Sequence, residues 1–288
     1  AFLFVGQYCV NSVMKRLWLI LFVFSLLIGQ EAAFTRDLSP LLVGQENPFP
    51  KTPDQQIVTQ AEEKILFVGN SFTYYWNLPS IVESMAEEKG IFLDIHQSTA
   101  GGATLKQHWN GDKDLNTKEL IENGSFTIVV LQDYSSNPLI KPEESKEYFN
   151  RFIQLVKSNQ GKGVIYGTWM FPAISHKKYE GVDPVQHALQ PVYNKTGSTI
   201  APVGTAFRLF QKQHPEIPIF TSDNKHPSAV GSYLAACVFL KLLTRESPLG
   251  LSRRFERKDE FGKKVFLIMV EKGAAAKCQA IVDQMTIK

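Results

Sequence analysis

Cysteine is scarce in this 288-residue chain: Cys9, Cys237 and Cys278 are too few for a disulfide framework, and no Cys/His cluster has metal-ligand spacing. Neither a structural metal nor an organic cofactor is implied. A surplus of one charge is missing too. The formal net charge of +3 comes with no basic stripe, no Lys/Arg run interleaved with aromatics and no acidic tail, so nucleic acid is not an expected partner. The apolar run from Leu17 to Gly29 is too short for a comfortable membrane span. Met14-Lys15-Arg16 ahead of it and Gln30-Glu31-Ala32-Ala33 behind it make residues 14–33 a secretory signal peptide. Met14 reads as the start, with residues 1–13 as an upstream extension. An uncleaved anchor is the competing reading, because the cleavage region lacks a clean small-x-small pattern. The expected location is secreted or periplasmic, with no stable membrane span once the signal is removed.

What is present is ordinary globular composition, 44% hydrophobic and 20% charged, with length for one large core. Residues 34–62, rich in Pro, Gln and Thr, read as a linker or arm, and residues 63–288 as the domain. Strand-length apolar runs then alternate with longer amphipathic segments, the pattern of a parallel sheet covered by helices. Strands are expected at 64–68, 91–96, 126–131, 163–168 and 199–203. Helices are expected at 78–89, 142–159, 183–196, 204–213, 227–243 and 271–285. Cys237 falls in Leu234-Ala235-Ala236-Cys237-Val238-Phe239-Leu240 and reads as a core thiol; a Cys237–Cys278 disulfide stays open. The charge run Arg253 to Glu260 reads as a solvated connection to the last helix.

Ligands in such sheets bind beyond the carboxyl ends of the strands. Gly69-Asn70-Ser71 follows the first strand, Ala100-Gly101-Gly102-Ala103 the second and Gln132 the third, while Asp223-Asn224-Lys225-His226-Pro227 precedes a late helix. A serine hydroxyl becomes a useful nucleophile only beside a base that a third group orients. Ser71, His226 and Asp223 supply those three types. Each motif alone has a plainer reading: Gly-Asn-Ser suits any turn, and Asp223 or Ser228 can simply cap the helix at Pro227. Their joint occurrence, in order and at successive strand ends, favours the chemical reading.

This arrangement resembles the SGNH (GDSL-like) hydrolases over most of residues 64–243. The resemblance implies a three-layer α/β/α, flavodoxin-like fold with a parallel sheet of about five strands, and a serine esterase with Ser71, His226 and Asp223 as its catalytic triad. It also implies oxyanion donors from the N–H groups of Ser71 and of Gly101 or Gly102, and from an amide side chain. The family's Gly-x-Asn-Asp after the third strand is replaced here by Leu131-Gln132-Asp133-Tyr134-Ser135-Ser136-Asn137-Pro138, which looks more like carbohydrate-esterase branches. Gln132 is the first choice for the amide and Asn137 the second. Asn70, Tyr74, Trp169 and His176 are candidates to line a substrate pocket, with aromatics suited to sugar rings; Asp133 and Tyr134 shape their loop, and His96, His108, His187 and His214 read as structural or surface. The expected substrate is a small-molecule or glycan ester, most simply an O-acetyl carbohydrate. A lipid or other small-ester hydrolase, or a noncatalytic carbohydrate-binding protein on the same fold, are the alternatives.

Overall fold

A computed structural model of the chain describes residues 63–171, 183–259 and 261–287. The expected signal segment, the arm, Cys9 and His176 lie outside the described residues. The domain opens with β1 (Glu63–Gly69), in which Ile65, Leu66, Phe67 and Val68 are all fully buried. Four consecutive buried residues require cover on both faces of the strand. A single helical turn, α1 (Ser71–Tyr74), and a 3₁₀ turn follow, then α2 (Leu78–Glu88), whose Ile81, Val82, Met85 and Ala86 form one apolar stripe.

Next come β2 (Leu93–Thr99), α3 (Leu105–Asn110), α4 (Thr117–Asn123), β3 (Ile128–Leu131), α5 (Asn137–Ile140) and α6 (Pro142–Ser158). β4 (Lys162–Tyr166), α7 (Pro184–Thr196), β5 (Thr199–Ala201), α8 (Val203–Gln213) and α9 (Ala229–Thr244) complete the alternating part. A hairpin of β6 (Arg254–Lys258) and β7 (Lys264–Met269) leads into α10 (Lys272–Gln284).

The five main strands are all parallel, in the order β2-β1-β3-β4-β5. Alternate residues of β1 feed two separate cores. Ile65 and Phe67 join α2, α8, α9 and α10 on one face, while Leu66 and Val68 join α3, α4, α6 and α7 on the other. The result is the expected three-layer α/β/α fold. The chain leaves β1 for β2 on one side and returns to β3 on the other, so the strand order reverses beside β1, where open sheets bind ligands.

The second strand spans Leu93–Thr99 rather than 91–96: β2 is an edge strand, paired with β1 along its whole length, while Phe92 is 66% exposed. The charge run after Arg253 is not a plain connection, because Phe255 is buried and anchors β6 against the α2, α9 and α10 core. Charges alternating around one buried aromatic make an edge ribbon. The helix expected from 227 begins at Ala229, with the Ser228 hydroxyl accepting from Gly231 N–H at 3.2 Å. Cys237 and Cys278 are both buried free thiols.

Candidate active site

The turn that carries Ser71 is built on a glycine that admits no side chain. A Cβ at Gly69 would sit 2.4 Å from both Gln132 Oε1 and Thr73 Oγ1. Those two atoms belong to a buried knot. Gln132 Oε1 accepts from Asn70 N–H at 2.8 Å and from the Thr73 hydroxyl at 2.9 Å, while Gln132 Nε2 donates to the Asp133 carbonyl. Asn70 caps α1 by accepting from Phe72 N–H at 3.1 Å and donates its amide to the Ala103 carbonyl at 2.9 Å, tying the β1 turn to the β2 loop.

A second line supports the same turn. His108, fully buried, hydrogen-bonds the Gly69 carbonyl through Nε2 at 2.9 Å and Thr117 Oγ1 through Nδ1 at 2.7 Å; Ser98 Oγ lies 2.8 Å from Thr117 Oγ1. A carbonyl only accepts, so Nε2 carries the proton and Nδ1 accepts from the threonine. Burial pushes the His108 pKa down to about 4, which keeps the ring neutral. Ser71, the first residue of α1, therefore stands on backbone fixed from below and behind.

Across the cleft, Thr221, Asp223 and His226 form one tight loop. Thr221 N–H donates to the His226 carbonyl at 2.9 Å and Asn224 takes φ +54°, turning the chain so that residues 223 and 226 face the same way. Asp223 Oδ1 accepts from Thr221 Oγ1 at 2.7 Å and from the N–H groups of Lys225 and His226, each at 2.9 Å. Asp223 Oδ2 meets His226 Nδ1 at 2.5 Å, and His226 Nε2 meets Ser71 Oγ at 2.8 Å. The histidine bond, followed by the hydroxyl and backbone donors, holds the Asp223 carboxyl well below the usual carboxylate range. An ionised carboxylate accepts only, so Nδ1 carries the imidazole proton and Nε2 is left to accept from Ser71.

Aromatic rings hold that imidazole. Tyr75 stacks on it with centroids 4.3 Å apart and planes 12° from parallel, and Phe72 meets it edge-on at 5.6 Å. Two indoles brace the loop backbone: Trp76 Nε1 donates to the Pro227 carbonyl at 3.1 Å and Trp169 Nε1 to the Lys225 carbonyl at 3.0 Å.

Beside Gly102 opens a cavity of about 470 Å³, lined by Thr104, Lys106, Gln107, Tyr134, Asn137 and Lys141, among others. Gly102 has φ +62°, a conformation that favours glycine, and Tyr134 packs over it. Gly101 is exposed, its carbonyl accepting from Lys113 Nζ. Among the described residues, the N–H groups of Ser71 and Gly102 have no protein acceptor. Asp133 is turned inward, where Oδ1 accepts from Leu105 N–H at 2.9 Å and Tyr134 N–H at 2.7 Å, and burial raises its pKa.

Ser71, Asp223 and His226 are thus brought into one line, with Gly102 and Asn137 on the neighbouring cavity. Gln132 is elsewhere than expected. A fully buried carboxamide that organises the turn and donates to its neighbour's carbonyl does not face an open cleft. Asn70, 2% exposed, likewise serves the turn rather than a pocket wall. Trp169 is sealed between Phe72 and Phe207, stacked on each with centroids 4.3 Å apart, and so is a core residue bracing the loop. Tyr74 remains half-buried, its hydroxyl near Gly101. The buttress His108 had no distinguishing signal in sequence. The Thr104 to Gln107 capping box that opens α3 did carry one, the Thr-x-x-Gln spacing.

No protein-family model matches the chain, and no curated protein matches it. Solved structures do. A protein of Slackia heliotrinireducens assigned to the SGNH hydrolases is 25% identical, with a TM-score of 0.52 over 63% of this chain and 99% of that one. A DUF4886 family protein from Bacteroides uniformis is 17% identical, with a TM-score of 0.56 over 76% of this chain and 93% of that one. The psychrotrophic esterase EstA from a Pseudoalteromonas species is 9% identical, with a TM-score of 0.50 over 64% and 98%. With the parallel β2-β1-β3-β4-β5 sheet and helices on both faces, this chain has the fold of the SGNH (GDSL-like) hydrolases.

Proposed function

We propose that the chain is an exported serine esterase that removes short acyl groups, foremost O-acetyl, from carbohydrate. The observation that carries the esterase reading is the unbroken line Ser71 Oγ, His226 Nε2, His226 Nδ1, Asp223 Oδ2, with contacts of 2.8 and 2.5 Å. His226 Nε2 takes the Ser71 proton as Oγ bonds to the ester carbonyl carbon. Asp223 holds the tautomer and stabilises the imidazolium that forms. The imidazolium returns the proton to the leaving alcohol as the C–O bond breaks, and water repeats the sequence to release the acid and Ser71.

The developing oxyanion needs fixed donors, each worth about 10²–10³ in rate. The free N–H groups of Ser71 and Gly102 fill two places. Asn137 fills the third: it borders the cavity next to Gly102, and its only side-chain amide hydrogen bond among the described residues, to Asp133 Oδ1, is long at 3.4 Å. Thr104, Gln107, Asn137 and three charged side chains on the cavity lining offer hydrogen-bond partners for sugar hydroxyl groups. Tyr74, Tyr75 and Trp76, partly exposed beside the nucleophile, offer ring faces. Export rests on the residue 14–33 pattern.

The test is Ser71→Ala assayed on p-nitrophenyl acetate. Hydrolysis is expected to vanish while the circular-dichroism melt is unchanged; retained turnover overturns the assignment.

A further inference from the structure

The cavity beside Gly102 carries more positive than negative charge. Lys106 and Lys141 both reach for one carboxylate, Glu144, at 2.9 and 3.9 Å, leaving a net positive charge between α3 and the start of α6. A third cation stands where this cavity meets the Asp223–His226 loop. Lys225 Nζ donates to the Tyr134 hydroxyl at 3.2 Å and lies 5.0 Å from the Tyr134 ring centroid and 5.3 Å from that of Phe171. Among the described residues, no carboxylate pairs with it. Tyr134 itself lines the cavity and packs over Gly102, so the Lys225 ammonium is tied to a residue of the cavity wall.

A cation held by ring faces and a hydroxyl keeps its charge available for a further anion. Position decides what that anion belongs to. The acyl carbon must sit over Ser71 with its oxygen near Gly102, so a group filling the adjoining cavity is attached to that carbon. An acetyl group is far too small for about 470 Å³, whereas one sugar ring with substituents fits that range.

Building on the esterase reading, we propose that this cavity is the alcohol subsite and selects a carboxylate-bearing sugar, with Lys225 as the specificity-determining residue and Lys106 and Lys141 reinforcing it. The ester bond broken is the same as for a neutral sugar, and the carboxylate takes no part in proton transfer.

The experiment compares kcat/KM for an O-acetylated methyl hexuronoside with that for the corresponding O-acetylated methyl hexoside. The acidic sugar is expected to be preferred by roughly tenfold at low ionic strength, with the preference shrinking several-fold in 0.5 M salt, since partly exposed charges are screened. Lys225→Met should remove most of the preference, mainly through KM for the acidic sugar, and Lys225→Arg should retain it. A Lys106→Gln/Lys141→Gln double variant, on a different element, should reduce it further. Equal kcat/KM for the two sugars in an enzyme that turns over p-nitrophenyl acetate overturns the anionic subsite and leaves the esterase reading standing. A preference untouched by either set of lysine substitutions overturns it as well. Failure of the folded protein to cleave any of the three esters removes the esterase reading and this inference with it.

Discussion

Ser71 stands on a turn whose polar side chains are buried and paired, whereas Asp223 and His226 stand on a loop at the surface. Under Ser71, Gln132, Thr73 and His108 are fully buried and Asn70 is 2% exposed. Across the cleft, the Asp223 side chain is 47% exposed and that of His226 19%. Polar groups in the interior must all be satisfied, so removing one leaves others stranded at about 1–3 kcal/mol each. Polar groups at the surface have water to fall back on. Ser71 is therefore positioned by the same contacts that hold the fold together, while His226 and Asp223 are positioned by a separable surface loop.

Substitutions can break that contrast, beginning with the largest effect. His226→Ala should lower kcat/KM on p-nitrophenyl acetate by about 10⁴-fold or more, with a melting temperature within about 2 °C of the parent. A collapse of the fold would show that the loop is as structural as the turn. Gln132→Ala should do the reverse. It strands Asn70 N–H, the Thr73 hydroxyl and the Asp133 carbonyl, for about 3 kcal/mol or more of lost stability in urea unfolding. An unchanged midpoint would contradict the buried knot.

The histidine of the turn sharpens the comparison through pH. The folded-state pKa of His108 lies at about 4 against 6.5 in the unfolded chain, so between those values the unfolded state binds more protons. Its contribution is fully present above pH 6.5, is lost as pH falls and is exhausted below pH 4; the span is about 3 kcal/mol at 1.36 kcal/mol per pH unit. Subtracting the unfolding free energies of His108→Gln from those of the parent should isolate that slope, and parallel pH profiles would refute it. Trp76→Phe carries the smallest effect. It deletes one indole hydrogen bond to Pro227, worth about 1 kcal/mol, and is expected to lower kcat several-fold with a drop in melting temperature of no more than about 2–4 °C.

The same contrast marks what sequence could reveal. The Ser71, Asp223 and His226 positions were legible because each sits at a strand end or before a helix, where topology delivers it to one edge whatever its neighbours do. Gln132 was placed correctly at the end of β3, but the direction of its side chain was set by Gly69 and Thr73 from another strand end, a tertiary contact that spacing does not carry. Trp169 differs from its expected place for a similar reason: this loop aromatic at the sheet edge is stacked in the core between Phe72 and Phe207. The hairpin of β6 and β7 was hidden by its own charges, since Phe255 supplies a single buried residue in Arg254–Lys258. β2 was legible as a strand but displaced, because hydrophobicity marks burial while pairing with β1 fixes its ends.

Labelling with a fluorophosphonate at neutral pH, read by peptide mass, reports whether His226, fixed by Asp223, activates Ser71 in the folded protein. The parent should be modified at Ser71 alone, and His226→Ala should label at least 100-fold more slowly, a ratio on the order of that set by a positioned base. No labelling of the folded parent, labelling at another serine, or equal rates in the two proteins would contradict it.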